Sequence, residues 1–212
     1  MDAQLQWSAS TRAAGEKISF QDYLKTYDSF EGGRTEWLAG EVAIYPTNNV
    51  QHQAVVQFTA ILLESFLAIN SLGMMLLGGI SMFISDEQPA REPDLMIVLT
   101  AHEDRIKDTY LEGVADIVVE VVSPESVARD RGEKFLEYEA AHVPEYWLID
   151  PQRMEIRVYA LNADGVYHSV ELDEQGRIRS RVLPTFALDP AILWAEQLLR
   201  APQVIALVEQ MG

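Results

Sequence analysis

Two carboxylates occupy positions where aliphatic residues are expected. Asp94 opens the run "PDLMIVL" and Glu120 interrupts "DIVVEVVSPES", and both runs are otherwise apolar and rich in Val and Ile. Strand side chains alternate faces, so Asp94 shares a side with Met96 and Val98, and Glu120 shares one with Asp116, Val118 and Val122. An unpaired ionised carboxylate among such neighbours is costly. Three arrangements offset the cost. Each acid could end a strand, solvated or bridged to an arginine. Each could pair with Lys134 as a purely structural bridge. Or the two could converge on a divalent cation with Lys134 beside it, a site for metal-assisted chemistry. Adjacent strands lie about 4.8 Å apart, so convergence is geometrically reasonable.

The elements that must position these residues are legible from periodicity. "EPDLMIVL" and "ADIVVEVV" are nearly continuous apolar runs, the pattern of central strands buried on both faces. Between Val50 and Asn70 the residues Val55, Phe58, Thr59, Leu62, Leu63, Phe66 and Leu67 recur at three and four, which predicts an amphipathic helix with a wide buried face. Upstream, "SFQDYLKTYDS" reads as a short helix capped by Ser19, and "TEWLAGEVAIYP" as a hairpin turning at Ala39-Gly40 and ended by Pro46-Thr47-Asn48-Asn49. "GMMLLGGISMFI" reads as a strand pair or a strand kinked at Gly78-Gly79. A second helix is expected in "RDRGEKFLEYEAA", with Phe135, Leu136 and Tyr138 inward. Three strands follow in "PEYWLIDP", "MEIRVYAL" and "VYHSVEL". A last strand near 178–183 and a helix in "FALDPAILWAEQLL" close the chain. This order predicts an α/β or α+β domain, a mixed sheet with helices.

Length and composition bound the rest. The 212 residues suit a loose tail over 1–15 and a single domain over 16–212. The absence of cysteine excludes disulfides, thiolate metal sites and thiol nucleophiles, so any metal is held by oxygen or imidazole. No uninterrupted apolar run reaches about 18 residues, and the start lacks the pattern of a signal peptide. A cytoplasmic protein with no membrane partner is expected. Sixteen basic against thirty-three acidic residues give a net charge of −17, which opposes general attraction to phosphate backbones. A local basic rim and bound cations could offset that field at a site. The clusters Arg129, Arg131, Lys134 and Arg177, Arg179, Arg181 are the candidates.

The run from "EPD" through "DIVVEVVSPES" and "RDRGEKFLEYEAAHVPEYWLIDP" closely resembles the Uma-two family of restriction-endonuclease-like proteins, a branch of the PD-(D/E)XK nuclease superfamily. "YLKTYDS", "TEWLAGEVAIYP", "HQAVV" and "LPTFALDPAILW" are similar to other segments of the family, in the same order. The resemblance implies a restriction-endonuclease-like mixed β-sheet flanked by helices, with an N-terminal helix and hairpin. It implies that Asp94 and Glu120 bind Mg²⁺ or Mn²⁺, with the main-chain carbonyl of Val121 as a third ligand. In the plain superfamily pattern a lysine stands two residues after the glutamate. That position is Val122 here, and the matching lysine is Lys134 on the following helix, one turn before Tyr138.

By the same resemblance Glu41 matches a "GE" element and His52 a His-Gln pair, which makes both candidates for the site. A hairpin glutamate and a helix-start histidine are equally ordinary surface residues. Asp116 lies about 13 Å along the strand from Glu120, too far to share an ion, and reads as a hydrogen-bonding residue. His102, His142 and His168 have no companions at metal-ligand spacing. The expected function is metal-dependent endonucleolytic hydrolysis of DNA. The alternative is a catalytically inert module of the same fold used for dimerisation or partner binding, and the charge favours it somewhat. A metal-dependent phosphoesterase of small substrates is a third reading, whose expected His-Asp clusters are missing. Apolar segments such as "VIALVEQM" could pair two subunits, which keeps a homodimer open.

Overall fold

Six strands, in the order Tyr167–Ser169, Glu155–Leu161, Glu145–Asp150, Ile117–Val121, Leu95–Leu99 and Gly73–Leu77, form the sheet that carries the two acids. The structure is a computed structural model describing residues 17–27, 34–45, 49–124 and 126–211. The expected N-terminal tail and the Pro46-Thr47-Asn48 turn lie outside the described residues. In chain order the elements begin with α1 (Phe20–Tyr27), β1 (Arg34–Leu38), β2 (Glu41–Tyr45) and α2 (Val50–Asn70). Then come β3 (Gly73–Leu77), β4 (Ser81–Phe83), β5 (Leu95–Leu99), β6 (Tyr110–Glu112), β7 (Ile117–Val121) and α3 (Lys134–Ala140). The last are β8 (Glu145–Asp150), β9 (Glu155–Leu161), β10 (Tyr167–Ser169), β11 (Ile178–Arg179), β12 (Ala187–Leu188) and α4 (Ala201–Val208).

Local chemistry explains the starts and turns. Ser19 Oγ accepts from the Asp22 N–H at 3.1 Å and donates to Asp22 Oδ2 at 2.8 Å, capping α1. The β1–β2 turn uses Ala39 and Gly40 at φ 50° and 107°, the left-handed conformations a two-residue hairpin demands. Asn49 caps α2 by accepting from the His52 N–H at 2.9 Å. The α2 side chains expected to face inward are all buried. By length and hydropathy α2 could also span a membrane, but its buried stripe packs here against Leu95, Ile97, Ile117, Val119 and Val121 of the sheet. The opposite sheet face packs Met96, Val98, Val118 and Val122 against Tyr138 of α3 and Met82 and Leu111 of the β4–β6 pair.

The sheet is antiparallel except between β7 and β8. A parallel pair requires a crossover connection, and that connection contains α3. It starts with a π-helical turn, Arg129–Glu133, which runs directly into α3.

Several expectations need correction. Tyr138 is buried and Phe135 packs against the core as expected, but Leu136 is 62% exposed, and Asp130 and Lys134 join the buried face. The late strand shrinks to β11, paired with β12. Hence Arg177, Arg179 and Arg181 share no long strand face, and the first two pair with Asp173. "FALDPAILWAEQLL" supplies β12 and a 3₁₀ turn over Pro190–Trp194, and the closing helix is α4. Val204 and Val208 of "VIALVEQM" are buried in the core under α2, and Ile205 is 43% exposed. Glu145 anchors this C-terminal region: buried in β8, it accepts from Trp147 Nε1 at 2.5 Å and from the Arg181 N–H at 2.6 Å.

Candidate active site

Strand register brings the two acids together. β5 and β7 pair Leu95 with Val119, so one step further along the antiparallel ladder Asp94 stands opposite Glu120. Both precede or interrupt the face that carries Met96, Val98, Val118 and Val122, and both are buried, at 5% and 2% exposure. Asp94 Oδ2 accepts from the Val121 N–H at 2.8 Å and from His52 Nε2 at 3.1 Å. Asp94 Oδ1 accepts from Arg34 Nη1 at 3.3 Å. Burial works to raise the Asp94 carboxyl, but His52, Arg34 and the Val121 N–H outweigh it and hold it below its ordinary value.

Glu120 meets different partners. Lys134 Nζ donates to its Oε1 at 2.6 Å, and the Tyr138 hydroxyl donates to the same oxygen at 2.7 Å. Burial pushes the Glu120 carboxyl up to about 7; Lys134 pulls against that shift, and Asp130 and Asp94 add to it. Lys134 is fully buried and lies 3.7 Å from Glu36 Oε1 and 3.6 Å from Asp130 Oδ1. Burial favours its neutral form, yet these three acids raise its ammonium above the ordinary value.

The hairpin completes the cluster through residues that sequence reasoning missed. Glu36 on β1 accepts from Arg91 Nη1 at 2.8 Å and lies 3.4 Å from Arg34 Nη2. Burial would raise its carboxyl, but Lys134, Arg34 and Arg91 hold it low. Arg91 also grips both oxygens of Glu137 on α3, at 2.7 and 2.8 Å. Arg34 donates in addition to the Glu92 carbonyl. At 21% side-chain exposure Arg34 is the cation of this group that reaches solvent. Glu41 is exposed beside the hairpin turn; the hairpin acid in the cluster is Glu36. Arg131 is taken up by Asp150 and Glu155 at 2.8 and 2.7 Å, and Arg129 stacks 4.0 Å over the Tyr45 ring. His102 and the Leu99 N–H both bond Asp116, which accounts for that strand-entry acid.

The donor set suits a hard cation in part. Among the described residues no group of three His, Cys, Asp or Glu side chains stands at metal-ligating spacing. Mg²⁺ commonly takes one or two carboxylates and completes its shell with water, which is what Asp94 and Glu120 could offer. Glu120 Oε2 takes part in none of the described hydrogen bonds. Around Asp94 and Glu120, the acids Glu36, Asp130 and Glu137 are paired with Arg34, Arg91, Arg129 and Lys134. His52 Nδ1 and Asp130 Oδ1 are buried without a hydrogen-bond partner. Two carboxylates facing each other fit a hard divalent ion that keeps part of its water shell.

A family profile, Uma2, described as "Putative restriction endonuclease", matches residues 20–191. The chain belongs to the Uma2 family. The match spans every element that carries the cluster, from α1 through the turn after β12. Among solved structures, the chain is similar to a "putative nuclease belonging to DUF820 from Anabaena variabilis ATCC 29413". That likeness has a TM-score of 0.66 at 16% identity and covers 84% of this chain and 97% of the other. At that identity it bears on the fold alone. No curated protein sequence matches the chain. The Uma2 assignment agrees with the mixed sheet, flanking helices and N-terminal helix and hairpin described above.

Proposed function

We propose that this Uma2 protein is a metal-dependent endonuclease that hydrolyses phosphodiester bonds in DNA in the cytoplasm. The observation that carries the reading is the meeting of Asp94 and Glu120 across β5 and β7, with Lys134 Nζ 2.6 Å from Glu120. Asp94, Glu120 and the Val121 carbonyl would hold Mg²⁺ or Mn²⁺. The ion would supply a polarised water and relief of charge on the departing oxygen. Lys134 would orient the attacking water and stabilise negative charge growing on the phosphoryl oxygens. His52 keeps Asp94 turned toward Glu120, and Tyr138 does the same for Glu120 from the other side. Arg34, the cation of the cluster that reaches solvent, would meet the scissile phosphate. Glu41 has no part in this scheme.

One observation favours the second reading, an inert module of the same fold. Lys134 has no exposed surface and is already bridged to Glu120, as in a structural ion pair. Two measurements separate the readings. Mg²⁺ or Mn²⁺ should raise the melting temperature of the wild type and leave Asp94→Asn unmoved. Supercoiled plasmid should be nicked in Mn²⁺ by the wild type, with at least a hundredfold loss in Lys134→Met. Metal binding without cleavage of any nucleic acid would establish the inert module instead.

A further inference from the structure

Strand β3 ends the six-stranded sheet on one side. Its pairing with β5 fixes which main-chain groups remain free. The Leu72 carbonyl accepts from the Thr100 N–H at 3.0 Å, and the Gly78 N–H donates to the Asp94 carbonyl at 2.9 Å. Antiparallel pairs alternate, so Leu72, Met74, Leu76 and Gly78 turn their main-chain groups to β5, and Gly73, Met75 and Leu77 turn theirs outward. Gly73 is required here: at φ 155° a Cβ would stand 2.3 Å from the Val98 carbonyl oxygen of β5.

Soluble proteins protect such edges with lysine, proline, a bulge or a covering element. This edge has no such protection in its sequence. No charged residue and no proline stands between Glu64 and Asp86, in a chain whose net charge is −17. Met74 and Leu77 are 46% and 55% exposed, one on each face of the strand.

We propose that two copies of this chain join β3 to β3 about a two-fold axis at Met75, making one continuous sheet. The strand is its own complement in that register. Met75 faces Met75 of the second copy, Gly73 faces Leu77, and every outward N–H and C=O finds a partner. Charge selects the occupant: this neutral strip is where two strongly acidic bodies can touch without opposing carboxylates, and apolar side chains meet apolar side chains. The interface is small and therefore reversible. It also places the two Asp94–Glu120 centres on the same face of the joined sheet, roughly 25 Å apart from strand spacing and rise. The pairing itself does not depend on the chemistry proposed above.

Sedimentation of the full chain from low micromolar to several hundred micromolar tests it. The wild type should pass from monomer to dimer, and Leu77→Lys should remain monomeric with an unchanged circular dichroism spectrum. Because the chain has no cysteine, single cysteines report the register. Met75→Cys should give a linked dimer on mild oxidation, since hydrogen-bonded cross-strand pairs lie about 5.5 Å apart at Cα. Leu136→Cys, exposed on α3, should not. A wild type that stays monomeric throughout, a Leu77→Lys variant that dimerises as tightly, or a Leu136→Cys variant that links as fast as Met75→Cys would overturn the proposal.

Discussion

Lys134 is held by acids from three separate parts of the chain: Glu36 on β1, Glu120 on β7 and Asp130 one turn before it. Removing one member of a buried ion cluster strands the others, at a cost of about 3–5 kcal/mol. Lys134→Met should therefore lower stability by about that much in urea titration, and adding Glu120→Gln should restore part of it. Glu36 makes an acid-side prediction. Its folded carboxyl is held below the unfolded value, which is about 4.3, so its stabilising contribution is fully present above that value. The contribution is lost as pH falls through the lower folded value. Wild-type melting temperature should drop through the acid range, and Glu36→Gln should show a shallower drop from a lower starting point. Asp94, Glu120 and Lys134 were readable in the sequence because an acid inside an apolar strand is an anomaly that demands a partner. Glu36 and Arg34 were not, because "RTEWL" opens with three polar residues, which read as the exposed start of a hairpin strand. Only the packing of the hairpin over Arg91 and α3 turns that polar face inward.

At the scale of elements, α2 delivers His52 to the centre and α3 delivers Lys134 and Tyr138. α2 brings His52 to Asp94 because its N-terminus, capped by Asn49, ends beside the start of β5. Asn49→Ala should cost about 1 kcal/mol in stability, read by chemical denaturation. The 3.6-residue periodicity of α2 was plain in the sequence and its limits match the structure. The second helix was less legible. Its buried stripe is Asp130, Lys134 and Tyr138 at spacings of four, two of them charged, and Leu136 lies two residues from Lys134 and Tyr138 on the opposite face. Nothing in residue spacing distinguishes its π-helical first turn from an ordinary one. The closing region misled for another reason. "FALDPAILWAEQLL" has helical composition, but the turn that Asp189 caps and Pro190 opens is 3₁₀ and ends at Trp194, and α4 forms downstream where Val204 and Val208 can reach α2.

For the whole molecule, charge sets how DNA would be met. The net charge is −17, and the cations around the centre are bonded to its own acids. Few phosphate contacts are then free to release counterions, so the salt dependence of DNA affinity should be shallow. We expect a slope of log Kobs against log salt weaker than about −3, against −5 or steeper for proteins that neutralise six or more phosphates. Fluorescence anisotropy on a labelled duplex at several salt concentrations measures it.

The contacts of the centre also differ in reach along the chain. Glu120 and Lys134 lie 14 residues apart, whereas Arg34 to Asp94 spans 60 and Arg91 to Glu36 spans 55. The lysine and its glutamate can meet early in folding, within one crossover; the hairpin counter-ions arrive only when distant segments close, and such closures come late. A partly folded or nascent chain would therefore carry an incomplete centre, and reactivity would switch on with the final docking of the hairpin rather than build up by degrees.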